Sequence, residues 1–175
     1  GEIAVNRKIK VLKREGAIIL LEGNNGLGHP IASYAMDLAM DSASEFGASL
    51  VGVRGSNHFG MASYYAMKAL EKDMIGIVLT VSNINTMAPF GGLDILLGNN
   101  PIAFAVPANK EFPIVFDAAF SVAARRKIHD AKAENKVIPE GWALDSFGQP
   151  TTDPQKALDG LLIPIGGYKG YGFAF

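Results

Sequence analysis

The chain contains no cysteine. That absence excludes disulfides, thiolate zinc sites and a cysteine nucleophile together, and it fits a cytoplasmic protein. Long apolar runs are missing too. The longest, residues 17–21 and 102–106, fall far below the ~20 residues that a helix needs to span a bilayer. The N-terminal residues carry scattered Lys and Arg but no apolar signal-peptide core. Neither sign of charge is in excess: 16 Lys and Arg stand against 17 Asp and Glu, a net charge of -1. No basic surplus points to nucleic acid, and no charge run forms a tail.

Several catalytic signatures are absent as well. No strand-like run is followed by G-x-G-x-x-G, and no Walker A sequence occurs. G-x-S-x-G and H-E-x-x-H are missing. The three histidines, His29, His58 and His129, have no metal-ligand spacing, so no metal site is expected. Gly23-Asn24-Asn25-Gly26-Leu27-Gly28 comes nearest to a dinucleotide fingerprint, but its spacing does not fit.

What is present is the mixture of a globular protein. Of 175 residues, 49% are hydrophobic and 19% charged, enough for one domain with a real core. Many of the 20 glycines cluster at segment ends: Gly23, Gly26 and Gly28; Gly91 and Gly92; Gly166, Gly167, Gly170 and Gly172. Such clusters serve either tight turns or backbone that lines a ligand.

Periodicity gives an alternating order of elements. Residues 8–12 and 17–21 read as strands. Pro30 suits a first helical turn, and Ile31, Ala35, Leu38, Ala39 and Ala43 continue at helical spacing until Gly47 ends the segment. Residues 49–53 read as a strand, 61–70 as an amphipathic helix and 74–81 as a buried strand. Residues 82–92 are irregular and polar. Strands follow at 102–106 and 114–116. Asp117 is placed to cap a helix running to about Glu134. Another strand is predicted at 141–145, an N-cap at Thr152 or Asp153, and a last strand at 161–165. A glycine-rich loop, residues 166–172, leads to Phe173-Ala174-Phe175, which reads as the first turn of a helix. The whole is an α/β pattern.

Four residues carry candidate chemistry. His58 sits in the glycine-bracketed turn Gly55-Ser56-Asn57-His58-Phe59-Gly60. An imidazole there can exchange a proton near neutral pH, or simply stabilise the turn. Lys169, flanked by glycines, is a cation on bare backbone, suited to a phosphate or carboxylate or equally to a surface turn. Asp117 and Ser121, read as the first turn of a helix, can cap it or meet ribose hydroxyls and phosphate at its positive end.

Taken in order, seven segments resemble the malate/L-lactate dehydrogenase family, which is distinct from the Rossmann-type lactate and malate dehydrogenases. They are Gly23-Asn24-Asn25-Gly26-Leu27-Gly28; Val53-Arg54-Gly55-Ser56-Asn57-His58-Phe59-Gly60; Ala88-Pro89-Phe90-Gly91-Gly92; Leu97-Gly98-Asn99-Asn100-Pro101-Ile102-Ala103; Asp117-Ala118-Ala119-Phe120-Ser121; Gly141-Trp142-Ala143-Leu144-Asp145; and Gly166-Gly167-Tyr168-Lys169-Gly170-Tyr171-Gly172. The resemblance implies a three-layer α/β fold with a mixed sheet, a non-Rossmann nicotinamide-nucleotide-binding domain. It implies NAD or NADP as cofactor and hydride exchange with a small 2-hydroxy or 2-oxo acid such as malate or lactate. His58 matches a proton acceptor of some members. Ser82, Asp117, Ala118, Ala119, Ser121 and Lys169 match cofactor-contacting positions. Family members are usually dimers, which implies a homodimer for the full-length enzyme.

The chain departs from the family pattern in three ways. Gly-Thr-Asn-Pro becomes Gly98-Asn99-Asn100-Pro101. A small residue near a helix start gives way to Arg125-Arg126-Lys127, which bears on cofactor phosphate preference. An N-terminal region with Ser-His-Gly and a nearby arginine is not matched, and the family pattern continues beyond the Lys169 loop. Residues 1–175 are therefore expected to be a single NAD(P)-binding domain, truncated at both ends relative to its parent. The acid/base role stays open between His58 and a histidine of the unmatched region. The contrasting expectation is a nucleotide-binding fragment without catalysis, lacking the substrate half.

Overall fold

The structure is a computed structural model that describes residues 3–4, 8–82 and 84–175. Asn83, in the irregular stretch after the fourth strand, lies outside the described residues. The chain divides into two compact units, one made of Gly1–Val78 with Ala103–Asp117, the other of Leu79–Ile102 with Ala118–Phe175.

The first unit begins with β1 (Lys10–Glu15) and β2 (Ile18–Gly26), an antiparallel pair. Next come α1 (Gly28–Phe46) and β3 (Leu50–Ser56), and β3 pairs with β2 in parallel. The sheet order β1-β2-β3 is thus mixed, as expected. Along β2 exposure alternates: Ile19 and Leu21 are buried while Ile18 and Leu20 are exposed. This is the two-residue period of a strand with one face covered. Ala35 of α1 completes a buried cluster with Ile19 and Leu21, and Leu38 and Val51 pack against it. Pro30 sits in the first turn of α1, where a missing N–H costs nothing. At the other end the Gly47 N–H donates to the Ala43 carbonyl at 2.8 Å, and the left-handed φ of 83° at Gly47 stops the helix.

The unit continues with α2 (Ala62–Lys68), a 3-10 turn over Ala69–Lys72, and β4 (Gly76–Leu79). Two further strands, β5 (Ile102–Val106) and β6 (Ile114–Ala118), give a second sheet of order β4-β5-β6. Small residues bring helix and sheet together: Ala62 and Ala66 of α2 bury against Ala103 and Ala105 of β5. The strand predicted over 74–81 is shorter than expected and covered on one face only, since Ile77 and Leu79 are exposed.

The helix expected to start at Asp117 does not form there. Asp117 belongs to β6, and the helix α3 runs over Arg125–Ala133. The Asp117 carboxylate does serve a helix end, but that of α2: its Oδ2 accepts the Ser63 N–H at 2.8 Å, 54 residues away in sequence. Sheet pairing of β6 with β5 overrides the helical propensity of the alanines that follow Asp117.

The second unit holds α3, β7 (Ala143–Leu144), α4 (Pro154–Asp159), β8 (Leu161–Leu162) and α5 (Tyr168–Ala174). Asp153 caps α4 as expected, accepting N–H groups from Gln155 and Lys156, with Pro154 in the first turn. Strands are short here, and bridges between loop residues replace long ladders: Met87 with Leu97, Ser121 with Pro164, Leu144 with Pro150. Glycine-rich residues 168–172, expected as loop, are helical, so Lys169 lies in the first turn of α5. The core joins Met87, Ile128, Ile138, Ala143, Ala157, Leu162 and Ala174. Ile128 is the only core residue contributed by α3 and is 0% exposed. Replacing it with Ala should cost about 2–5 kcal/mol, read as a lower denaturant midpoint, whereas Val137→Ala, at a position 77% exposed, should shift stability by less than about 0.5 kcal/mol.

Candidate functional site

In the first unit the candidate His58 lies just beyond the ends of β2 and β3. These strands are parallel, and ligands of open α/β sheets bind at the carboxyl ends of parallel strands. The pairing slips between Glu22 and Gly26, where Asn24 and Asn25 take positive φ of 51° and 57°. The resulting bulge lies against the turn that carries His58. Asn57 ties the two together: its Nδ2 donates to the Gly26 carbonyl at 2.8 Å, Asn25 Oδ1 at 3.0 Å and the Asn25 carbonyl at 3.1 Å. With two hydrogens for three acceptors, these contacts are shared. Gly28 makes the approach possible, because a Cβ there would lie 2.1 Å from the Asn57 carbonyl oxygen and 2.4 Å from that of His58. No side chain fits at that point.

His58 is exposed on this turn. The Gly60 N–H donates to its Nδ1 at 3.2 Å, so the neutral ring keeps its hydrogen on Nε2. Proton exchange at Nε2 runs between the imidazolium and the Nδ1–H tautomer, and both require the Gly60 contact to open. A long contact on an exposed loop is easily opened. Beside it lies a cleft of about 400 Å³ lined by His29, Ser33, Phe59, Met61, Tyr64 and Tyr65. The Tyr65 hydroxyl donates to the Phe59 carbonyl, fixing the backbone next to His58. Burial, with a smaller effect from Tyr64, pushes the Tyr65 phenol above its ordinary range.

The base of the bulge is held by charge. Glu22 Oε1 accepts the Asn24 N–H at 2.9 Å, and Arg54 Nε donates to Glu22 Oε2 at 2.8 Å. These two contacts, the backbone one foremost, hold the Glu22 carboxyl below its ordinary range.

The second unit contains Ser82, Ala118, Ala119, Ser121 and Lys169, whereas His58 and Asp117 belong to the first. The Ser82 hydroxyl turns back on its own loop, donating to the Ile84 carbonyl at 3.1 Å and accepting the Ile84 N–H at 3.3 Å. Ser121 is buried, and its hydroxyl donates to the Ala123 carbonyl at 2.8 Å. It bridges to Pro164 and is not in a helical first turn. Ala118 and Ala119 are half-buried. Lys169 is exposed and has no ion pair or hydrogen bond among the described residues. The three cations of α3 are different. Arg125 donates to the Leu158 carbonyl at 2.9 Å, Arg126 pairs with Asp130 at 2.6 Å, and the Lys127 ammonium stands 5.8 Å from the centre of the Trp142 ring.

Among the described residues no group of three or more His, Asp or Glu is arranged to hold a metal ion, and no helix is long and apolar enough to cross a membrane.

The sequence profile described as malate/L-lactate dehydrogenase matches residues 1–175. The chain belongs to the malate/L-lactate dehydrogenase family. It is 45% identical over 174 residues to the L-sulfolactate dehydrogenase of Methanocaldococcus jannaschii, covering 99% of this chain and 50% of that one. The solved structure of sulfolactate dehydrogenase from the same organism superposes with a TM-score of 0.87 over 97% of this chain and 49% of that chain. The malate/(S)-sulfolactate dehydrogenase of Methanothermus fervidus is 42% identical over 175 residues, which is 100% of this chain and 51% of the relative. Two further relatives name a cofactor. They are the (2R)-3-sulfolactate dehydrogenase (NADP(+)) of Chromohalobacter salexigens, 36% identical over 99% of this chain and 52% of its own length, and the ureidoglycolate dehydrogenase (NAD(+)) of Escherichia coli K12, 38% identical over 87% of this chain and 43% of its own length. The chain spans about half the length of the curated relatives it matches.

Sequence reasoning within this family singled out the side chains on the turns but missed those that hold the turns in place. Gly28 and Asn57 are the clearest cases. The signal was available in the density of glycine and asparagine around them, residues that tolerate positive φ and whose amides satisfy irregular backbone.

The Glu22 contacts give a pH dependence with a definite sign. A carboxyl held below its ordinary value of 4.5 stabilises the fold above that value, and the contribution is lost as pH falls through the lowered value. Wild type should therefore melt above Glu22→Gln at neutral pH, and the difference should vanish under acid conditions, as read by thermal unfolding across a pH series.

Proposed function

We propose that residues 1–175 form a single NAD(P)-binding portion of a dehydrogenase that moves hydride between NAD(P) and a small 2-hydroxy or 2-oxo acid. The observation that carries this reading is the family match along all 175 residues. The relatives' names supply the substrate class, malate and sulfolactate among them, and both cofactors. The resemblance extends the proposal to a homodimeric enzyme, and the lack of cysteine suits a cytoplasmic one.

Each unit carries residue types suited to a dinucleotide. Lys169 is an exposed cation without a partner among the described residues, suited to a phosphate. Asp117 uses Oδ2 on Ser63 and has its other carboxylate oxygen to offer a ribose hydroxyl. Ala118 and Ala119 are half-buried, and the Ser121 hydroxyl is engaged with the Ala123 carbonyl. Ser82 offers a hydroxyl that needs only to leave its own loop. When bound, the nicotinamide accepts or returns the hydride of the substrate carbon.

The chain's own part in the chemistry is the proton. As a 2-hydroxy acid loses hydride from carbon, its hydroxyl proton must leave oxygen, and the reverse reaction must return it. His58 is the group of this chain suited to that transfer, through Nε2 once the Gly60 contact opens. An acidic substrate also needs a cation for its carboxylate. The family's arginine, which has no match in these residues, is the group proposed for that task.

Fluorescence titration of the chain with NADH and NADPH tests the cofactor reading. Saturable binding is expected, weakened at least about tenfold in Lys169→Ala, and the tighter dinucleotide identifies the preferred cofactor. A folded chain that binds neither would overturn the reading. The proton role is tested in the enzyme carrying this chain, with oxaloacetate, pyruvate and sulfopyruvate as oxidants. His58→Gln should lower turnover roughly 100-fold or more while leaving dinucleotide affinity close to wild type. Unchanged turnover would assign the proton to another group.

A further inference from the structure

We propose that Asn100 is a positioning residue of the dinucleotide site, holding the strand exit that carries Ser82 in register with the helix that carries Lys169. The inference rests on the cofactor reading above.

The Asn100 side chain is 8% exposed and uses both ends of its amide. Oδ1 accepts the Ser82 N–H at 2.9 Å, and Nδ2 donates to the Ala174 carbonyl at 2.6 Å. The partners lie 18 and 74 residues away in sequence. Each is an orphan of regular structure. Ser82 follows β4 after its ladder has ended, and Ala174 is in the last turn of α5, where carbonyls have no acceptor role left within the helix. One planar amide satisfies both, and it must be an amide: the site needs an acceptor at one end and a donor at the other.

The same turn reaches a third cofactor-matching segment. The Asn99 carbonyl accepts the Phe120 N–H at 2.7 Å, between Ala119 and Ser121. Gly98 lies so close to the Ser82 loop that a Cβ would stand 2.4 Å from Ser82 Cβ and 2.9 Å from the Ile84 carbonyl oxygen. Residues 98–100 therefore touch the Ser82 exit, the 118–121 segment and α5, all within the second unit. Asn100 holds φ at 24°, a conformation unfavourable for most side chains, with Pro101 next in sequence. A non-glycine residue persists there only when surrounding contacts over-determine it. The two amide bonds do so.

Because Asn100 reaches Lys169 through α5, its loss and the loss of Lys169 should not be independent. The test titrates NADH and NADPH into folded wild type, Lys169→Ala, Asn100→Asp and the double variant, with circular dichroism melts alongside. Asn100→Asp keeps the size and the acceptor for Ser82 but turns a carboxylate oxygen toward the Ala174 carbonyl. It should weaken dinucleotide binding at least about tenfold, and the double variant should bind little more weakly than Lys169→Ala alone, a non-additive pair. A purely structural role would lower the melt and leave affinities unchanged or multiplying. Asn100→Gly, which removes both bonds and relaxes φ, runs beside it in case the aspartate variant fails to fold. Wild-type affinity in either folded variant, losses that simply multiply, or failure of both variants to fold would overturn the proposal. A folded wild type that binds neither dinucleotide removes the cofactor reading itself and this inference with it.

Discussion

Peptide groups away from water must find partners, and this constraint shapes both units wherever strands and helices stop. Asparagine amides answer it repeatedly. Asn57 binds the bulge at the end of β2 to the turn after β3, and Asn100 binds the exit of β4 to the end of α5. Asp117 does the same with a carboxylate at the start of α2. Each joins pieces of chain that are distant in sequence, and each stands within or beside a segment matched by the family. Close backbone approach accompanies them, since Gly28 and Gly98 leave no room for a side chain. The turns at His58 and Ser82 are therefore held by hydrogen bonds from these amides.

That division of labour separates the residues proposed to meet ligands from those that hold the turns. His58, Ser82 and Lys169 are exposed or half-buried. Their supports are less accessible and already engaged. The charges follow the same division. Glu22 with Arg54, Lys68 with Asp37 and Arg126 with Asp130 are satisfied within the fold, and they are suited to fixing shape. Lys169 is not satisfied in this way, and so it is suited to an anionic partner.

Much of the fold was legible from periodicity. The strand at Ile102–Val106 was read to the residue, α1 was recognised from its apolar spacing and its glycine stop, and Asp153 declared the start of α4. The errors share a cause. Asp117 followed by alanines reads as a helix start by local preference, yet pairing with β5 makes it a strand and sends its carboxylate to a helix more than fifty residues earlier. Glycines at 170 and 172 read as loop, yet α5 forms through them, where Ala174 enters the core and gives its carbonyl to Asn100. In both places a long-range contact decided what a short window could not. The side chains proposed to face ligands could be named from ordered motifs. Their supports could not, because nothing in a linear motif says which amide faces which orphaned peptide group.

The first unit is discontinuous: residues 79–102 leave it, and the chain returns to supply β5 and β6. A growing polypeptide can form β1, β2, α1 and β3 from neighbouring sequence, because their contacts are local on the scale of one strand–helix–strand unit. The β4-β5-β6 sheet must wait until Asp117 has been synthesised, and the N-terminus of α2 lacks its carboxylate until then. Folding of the first unit is thus gated by translation of the segment that returns to it.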